Sequence, residues 1–137
     1  MGFEKFGQIS FTTQAKVGGD FVDYLEKGEL RGTKCRQCGE TFFPPRADCS
    51  KCLSKDMEWI KIEGRGNLIS FTEVHYGPTG FETDVPYILA LADFNGMRVF
   101  GRFSKDAPAA QLAVGAPVKV ETVAFDNGQV SYQFLPG

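Results

Sequence analysis

Four cysteines constrain this 137-residue chain more than any other feature. They form two pairs, Cys35-x2-Cys38 and Cys49-x2-Cys52, with ten residues between the pairs. A C-x2-C turn aims two thiolates at one point, and two such turns close a tetrahedral metal site with metal–sulfur distances near ~2.3 Å. Gly39, just after the second cysteine, frees the backbone to turn N–H groups toward sulfur. Lys34, Arg36 and Lys51 lie beside the ligands and would offset the formal negative charge of a Zn(Cys)4 centre. One structural zinc per chain is the expectation. Two disulfides, four buried thiols, or iron in place of zinc stay open as alternatives. An all-sulfur set leaves no position for water or substrate, so the metal would serve as a staple rather than a catalyst.

The rest of the chain reads as β structure. Sixteen Gly and seven Pro point to many turns, and thirteen Phe supply a core. Residues 1–19 show no clear period and are expected to form an arm. A short helix is expected next, with Asp20 as N-cap, Phe21, Tyr24 and Leu25 on one apolar face, and Gly28 as its stop. From Met57 onward, Trp59–Ile62, Leu68–Tyr76, Pro86–Phe94, Met97–Ser104, Pro117–Phe125 and Val130–Leu135 read as strands. Gly64-Arg65-Gly66 separates the first two. Asn95-Gly96 is a strong two-residue hairpin signal, because both turn positions need positive φ. Asp126-Asn127-Gly128 is a second hairpin signal, and Ala107–Ala113 reads as a short helix or turn. Five or six such strands fit a small Greek-key barrel of the OB type, with an SH3-like barrel as the alternative.

Charge and motifs narrow the function. Net charge is −2, yet Arg31–Lys55 holds six Lys/Arg against two Asp/Glu. A basic patch on an acidic body suits a small anion or an acidic partner surface better than a long polyanion. Residues 56–137 hold six Lys/Arg and ten Asp/Glu, a poor phosphate track, so no nucleic-acid partner is expected. No apolar run approaches a membrane span, and Met1–Ser10 carries no secretory h-region. No membrane partner and a cytoplasmic location are therefore expected. With four cysteines on a metal, no nucleophilic thiol is left. His75 is the only histidine, and Glu73, Asp84 and Asp93 are scattered carboxylates. Walker A, G-x-S-x-G and dinucleotide fingerprints do not occur.

Joined together, these motifs carry a resemblance. The blocks are Phe21–Leu25, Gly28-Glu29-Leu30, the two cysteine pairs, and Phe43-Pro44-Pro45-Arg46 between them. Gly64-Arg65-Gly66-x-Leu68, Ser70-Phe71-Thr72-x-Val74-His75, Pro86-Tyr87-x-Leu89-Ala90-Leu91, Gly96-x-Arg98-Val99-x-Gly101 and Leu112-x-Val114-Gly115-x-Pro117-Val118 follow. Over residues 20–137 the chain resembles the rubredoxin-like zinc-ribbon, OB-fold proteins associated with acyl-CoA enzymes, long classed as a domain of unknown function.

That resemblance implies a mainly β chain, with a short helix plus rubredoxin-like zinc ribbon at 20–55 and an OB-fold barrel at 56–137; the arm at 1–19 lies outside its motifs. It implies a non-catalytic accessory subunit in a hetero-oligomer with a thiolase-fold enzyme, which would supply the Cys/His chemistry. CoA or acyl-CoA would be a ligand shared with that partner. Aromatic-compound degradation, such as benzoylsuccinyl-CoA thiolysis, is one setting it suggests. Lys34, Arg36, Arg46 and Lys51 would then meet CoA phosphates, and Phe21, Tyr24, Phe42 and Pro45 would line the pantetheine arm or face the partner. Each has a plainer alternative in packing or a solvated face. Nucleic-acid binding and stand-alone CoA chemistry are the competing functions.

Overall fold

The computed structural model describes residues 16–105 and 112–137. Helix α1 spans Lys16–Glu26, and eight strands follow: β1 Arg31–Cys35, β2 Thr41–Phe42, β3 Met57–Lys61, β4 Gly66–Val74, β5 Tyr87–Phe94, β6 Met97–Arg102, β7 Pro117–Ala124 and β8 Val130–Pro136. The expected arm lies outside the described residues up to residue 15. Residues 16–19 are helical, so Asp20 sits inside α1 and is not its N-cap. Gly18 and Gly19 made this turn look non-helical, each costing about 1 kcal/mol in a helix. Tertiary packing of the apolar face on β1, β7 and β8 overrides that cost. The expected stop holds. Gly28 takes φ 84°, Glu29 N–H donates to Tyr24 C=O at 2.9 Å, and Gly28 N–H donates to Leu25 C=O at 3.0 Å. That pair of bonds is a Schellman cap.

Two sheets divide the strands. A three-stranded sheet has the order β2-β1-β3, and a five-stranded sheet has the order β6-β5-β4-β7-β8. A parallel bridge between Phe103 and Phe134, with Ser104 N–H donating to Phe134 C=O at 2.9 Å, brings the end of β6 against β8. This nearly closes a five-stranded Greek-key barrel of the OB type. Both hairpins fall where the turn residues placed them. Asn95 and Gly96 take φ 54° and 89°, and Gly128 takes φ 85° between β7 and β8. The strand expected at Trp59–Ile62 is present as β3. β3 pairs with β1 from Arg31↔Lys61 to Cys35↔Met57, which puts it in the ribbon's sheet rather than the barrel. The stretch 107–111 of the expected short helix or turn lies outside the described residues.

One apolar cluster runs through both sheets. Inside the barrel, small Ala90, Ala92 and Gly101 alternate with large Phe94, Phe103 and Phe134. A Cβ on Gly101 would sit 3.0 Å from the rings of Phe134 and Tyr132, so glycine makes room for them. Leu25, Leu30 and Ile62 extend the same cluster from the helix and the linkers. Phe43 joins the parts, edge-on to Phe21 at 6.0 Å and to Tyr132 of β8 at 5.4 Å. Gly32 lets the barrel approach the ribbon, since a Cβ there would lie 2.6 Å from the Phe42 carbonyl and 2.8 Å from Met97 Sδ.

Candidate metal centre and its surroundings

Two matching turns build the cysteine site. In the first, Cys35 N–H donates to Glu40 C=O at 2.8 Å and Gly39 N–H donates to Cys35 C=O at 2.9 Å. In the second, Cys49 N–H donates to Ser54 C=O at 2.8 Å and Leu53 N–H donates to Cys49 C=O at 2.9 Å. Each turn also sends one N–H to sulfur: Cys38 N–H to Cys35 Sγ at 3.5 Å, and Cys52 N–H to Cys49 Sγ at 3.4 Å. The residue after the second cysteine adopts a left-handed conformation in both turns, φ 81° at Gly39 and 63° at Leu53. Leu53 does so although leucine disfavours that region, and its side chain is 82% exposed.

The four Sγ atoms lie within 4.8 Å of one another. Cys35–Cys52 and Cys38–Cys49 sulfurs stand 3.5 Å apart. A disulfide needs about 2.05 Å, whereas ligands at ~2.3 Å from a tetrahedral centre stand roughly 3.8 Å apart. The spacing therefore fits four ligands around one ion. The electrostatics agree. The Cys38 backbone N–H pulls the Cys35 thiol down to about 6. Cys52 receives the Ser54 backbone N–H, yet burial and the other three sulfurs push it up to about 12. So crowded a set cannot all ionise without a cation at its centre. Cys35 and Cys49 are buried, and Cys38 and Cys52 lie at the surface. An ion here would be held by Cys35, Cys38, Cys49 and Cys52 and would tie the two turns to β1.

The residues expected around CoA or a partner separate into groups. Phe21 packs on Phe43, and Tyr24 meets Trp59 edge-on at 5.1 Å beneath the Arg31 guanidinium. Arg36 pairs with Asp56 at 3.3 Å and Glu58 at 3.5 Å, while Lys51 pairs with Glu40 at 3.6 Å. Lys34 lies on β1 opposite Thr41 and Glu58. Arg46 is held differently. Its N–H donates at 2.9 Å to the hydroxyl of buried Thr33, and its guanidinium covers the Phe42 ring at 5.4 Å. The Phe43–Pro44 bond is cis, and Pro45 is half-buried. Phe42 and Arg46 line a cleft of about 320 Å³ against Met97 and Arg98 of the β5–β6 hairpin.

Other features escaped the sequence reading. Ser70, Thr72, Leu89, Leu91 and Phe100 form a shallow apolar surface on the outside of β4, β5 and β6. The alternation of β5 gave both faces apolar residues, Ile88/Ala90/Ala92 inward and Leu89/Leu91 outward, which is the signal that could have found it. Asp84 pairs with Arg102 and Lys105, and hydrogen bonds from those two side chains, aided by their charges, hold its carboxyl well below the usual range. His75 pairs with Glu73 at 2.9 Å on the surface. No helix among the described residues is long and apolar enough to cross a membrane.

Comparison with known proteins agrees with this architecture. Residues 23–58 match the ChsH2 rubredoxin-like zinc ribbon domain, and residues 59–123 match the ChsH2 C-terminal OB-fold domain. A DUF35 domain-containing scaffold protein of Methanocaldococcus jannaschii is 37% identical over 111 residues, covering 77% of this chain and 78% of that protein. The benzoylsuccinyl-CoA thiolase subunit BbsA of Geobacter metallireducens is 27% identical over 109 residues, covering 77% and 73%. Among solved structures, the Ltp2–ChsH2(DUF35) aldolase superposes with a TM-score of 0.74 at 22% identity, covering 92% of this chain and 98% of that one. The cysteine cage, the barrel order and these matches together show that the chain belongs to the DUF35 domain family, built from a ChsH2-type zinc ribbon and OB fold.

Proposed function

We propose that this chain is a non-catalytic accessory subunit of a thiolase or thiolase-like enzyme that makes or breaks C–C bonds in acyl-CoA substrates. The observation that carries the reading is the gathering of all four cysteines into one cage. Thiols clamped on a structural zinc are not available for acyl transfer. Support comes from relatives named as scaffold proteins and as a subunit of benzoylsuccinyl-CoA thiolase. The outward apolar surface of Leu89, Leu91 and Phe100 also suits a chain that works beside another protein.

In this role the zinc, one per chain, fixes the two turns. The barrel and ribbon complete a CoA or acyl-CoA site shared with the partner in a hetero-oligomer. Benzoylsuccinyl-CoA thiolysis is the example named among the relatives. The test is co-expression with a thiolase-fold enzyme of the same organism. A stable hetero-oligomer whose thiolytic activity needs both chains is expected. A partner fully active without this chain, or acyl-CoA turnover by this chain alone, would overturn the proposal.

A further inference from the structure

Two connections lean over one cleft on the barrel. The β4–β5 loop brings Phe81 and Asp84, the β7–β8 turn brings Phe125, and the end of β6 brings Arg102 and Lys105. Phe103 and Tyr132 also line it. The cleft measures about 530 Å³, inside the roughly 300–1,000 Å³ usual for small-ligand sites. In OB barrels the loops at these two positions border the surface that takes ligands.

The two rings at the mouth are left in water, Phe81 at 47% and Phe125 at 51% exposure, yet both are held in place. Phe81 N–H donates to Pro78 C=O at 2.8 Å, and Asp84 N–H donates to Phe81 C=O at 3.1 Å, so successive turns fix that loop. Gly77 lets the loop fold back on itself, since a Cβ there would lie 2.3 Å from the Phe81 carbonyl oxygen. Across the cleft, Phe125 N–H donates to Gln129 C=O at 2.8 Å, and Gly128 N–H donates to Phe125 C=O at 3.0 Å. Rings preset in this way lose little freedom when a ligand enters between them.

The charged rim is also preset. Asp84 pairs with both Arg102 and Lys105, so the three together carry one net positive charge. A guanidinium and an ammonium hold more N–H donors than one carboxylate uses. The Tyr87 ring lies under the Arg102 guanidinium at 4.7 Å and steadies it. The other acid of the β4–β5 loop, Glu82, accepts the Gly80 N–H at 2.8 Å, and Glu121 is hydrogen-bonded to Gln133. One net charge beside a ring-lined cleft fits a monoanion with an apolar body. A polyanion would meet the six Lys/Arg and ten Asp/Glu of residues 56–137.

From this geometry we infer that the cleft between the β4–β5 loop and the β7–β8 turn binds a small organic acid. Its apolar or aromatic body lies between Phe81 and Phe125, and its carboxylate meets Arg102 and Lys105. The inference does not depend on the accessory-subunit reading.

Amide spectra of the full zinc-loaded chain, titrated with phenylpropionate, phenylpropylamine and phenylpropanol, test this. The three probes share one body and differ in head group. Phenylpropionate is expected to shift the amides of Phe81–Asp84, Phe125 and Ser131–Gln133, and to bind about tenfold or more tighter than the amine. Lys105→Gln should weaken phenylpropionate about tenfold and leave phenylpropanol unchanged, the loss of one charge-assisted contact. Phe81→Ala should weaken both about tenfold, since the body loses a wall. Both side chains are exposed, so neither variant threatens the fold. Arg98→Gln, in the cleft beside Phe42, should change nothing. Shifts absent from the cleft, equal binding of acid and amine, or indifference to Lys105→Gln and Phe81→Ala overturn the inference. Displacement of phenylpropionate by a single-stranded oligonucleotide overturns it in favour of a nucleic-acid ligand. Displacement by a thiolase-fold partner overturns it in favour of a protein segment.

Discussion

Removing the metal should take the ribbon apart and leave the barrel standing. The structure sets the expectation. The largest wholly buried side chains among the described residues are Phe103, Phe134, Leu68, Val99, Val118, Cys35 and Cys49. The first five all belong to the barrel, and each contributes about 1.5–3 kcal/mol by burial. The last two are the ribbon's, and they are metal ligands. Without the ion, the ribbon keeps the small sheet β2-β1-β3 and a few half-buried rings. A structural zinc in a small site of this kind contributes about 10–16 kcal/mol, which no remaining ribbon contact replaces.

Trp59 makes the event visible. It is the chain's single tryptophan, lies on β3 opposite Thr33 of β1, and meets Tyr24 at 5.1 Å. Stepwise chelation should shift Trp59 emission to longer wavelength in proportion to zinc lost. Amide protons of β4–β8 should stay protected over the same steps. Metal analysis of the untreated protein should give one zinc per chain. If emission and barrel protection collapse together, the shared cluster of Leu25, Leu30 and Ile62 fuses the parts into one cooperative unit, and the reasoning fails. Iron in the untreated protein, or a folded metal-free ribbon, would refute the structural-zinc assignment itself.

Three further outcomes follow from particular contacts. Gly32→Ala should cost about 1–3 kcal/mol in urea unfolding, because its Cβ meets the Phe42 carbonyl and Met97; an unchanged midpoint would mean the ribbon–barrel seam is loose. Asp84→Asn should destabilise by about 1 kcal/mol near neutral pH, allowing for partial exposure. Because the folded Asp84 carboxyl titrates below its unfolded value of about 3.9, the unfolded state takes up protons first as pH falls. The gap between native and variant should therefore be constant above about pH 5 and shrink below pH 4; a gap that widens in acid would contradict the pairing. Leu53→Gly should leave zinc content and stability intact or slightly improved, while Leu53→Val should cost on the order of 1 kcal/mol, since a β-branched residue resists φ 63° more strongly. Equal stability of the two variants would show that the second turn carries no backbone strain.

The sequence by itself determined what depends on neighbours along the chain. Two C-x2-C turns, the Gly28 stop, the Asn95-Gly96 hairpin and the alternating strands are local signals, and each stands where its residues placed it. The tertiary structure decided what depends on partners far away. It gave β3 to the ribbon's sheet, because pairing with β1 is a contact across some 25 residues that no local pattern encodes. It extended the helix through Gly18-Gly19, because packing on the barrel outweighs intrinsic propensity. It supplied Arg36 and Lys51 with carboxylates, and set Arg46 beside Arg98 across 52 positions of sequence. Basic residues look alike in a sequence; only the fold fixes which of their charges are matched within the chain and which face a cleft.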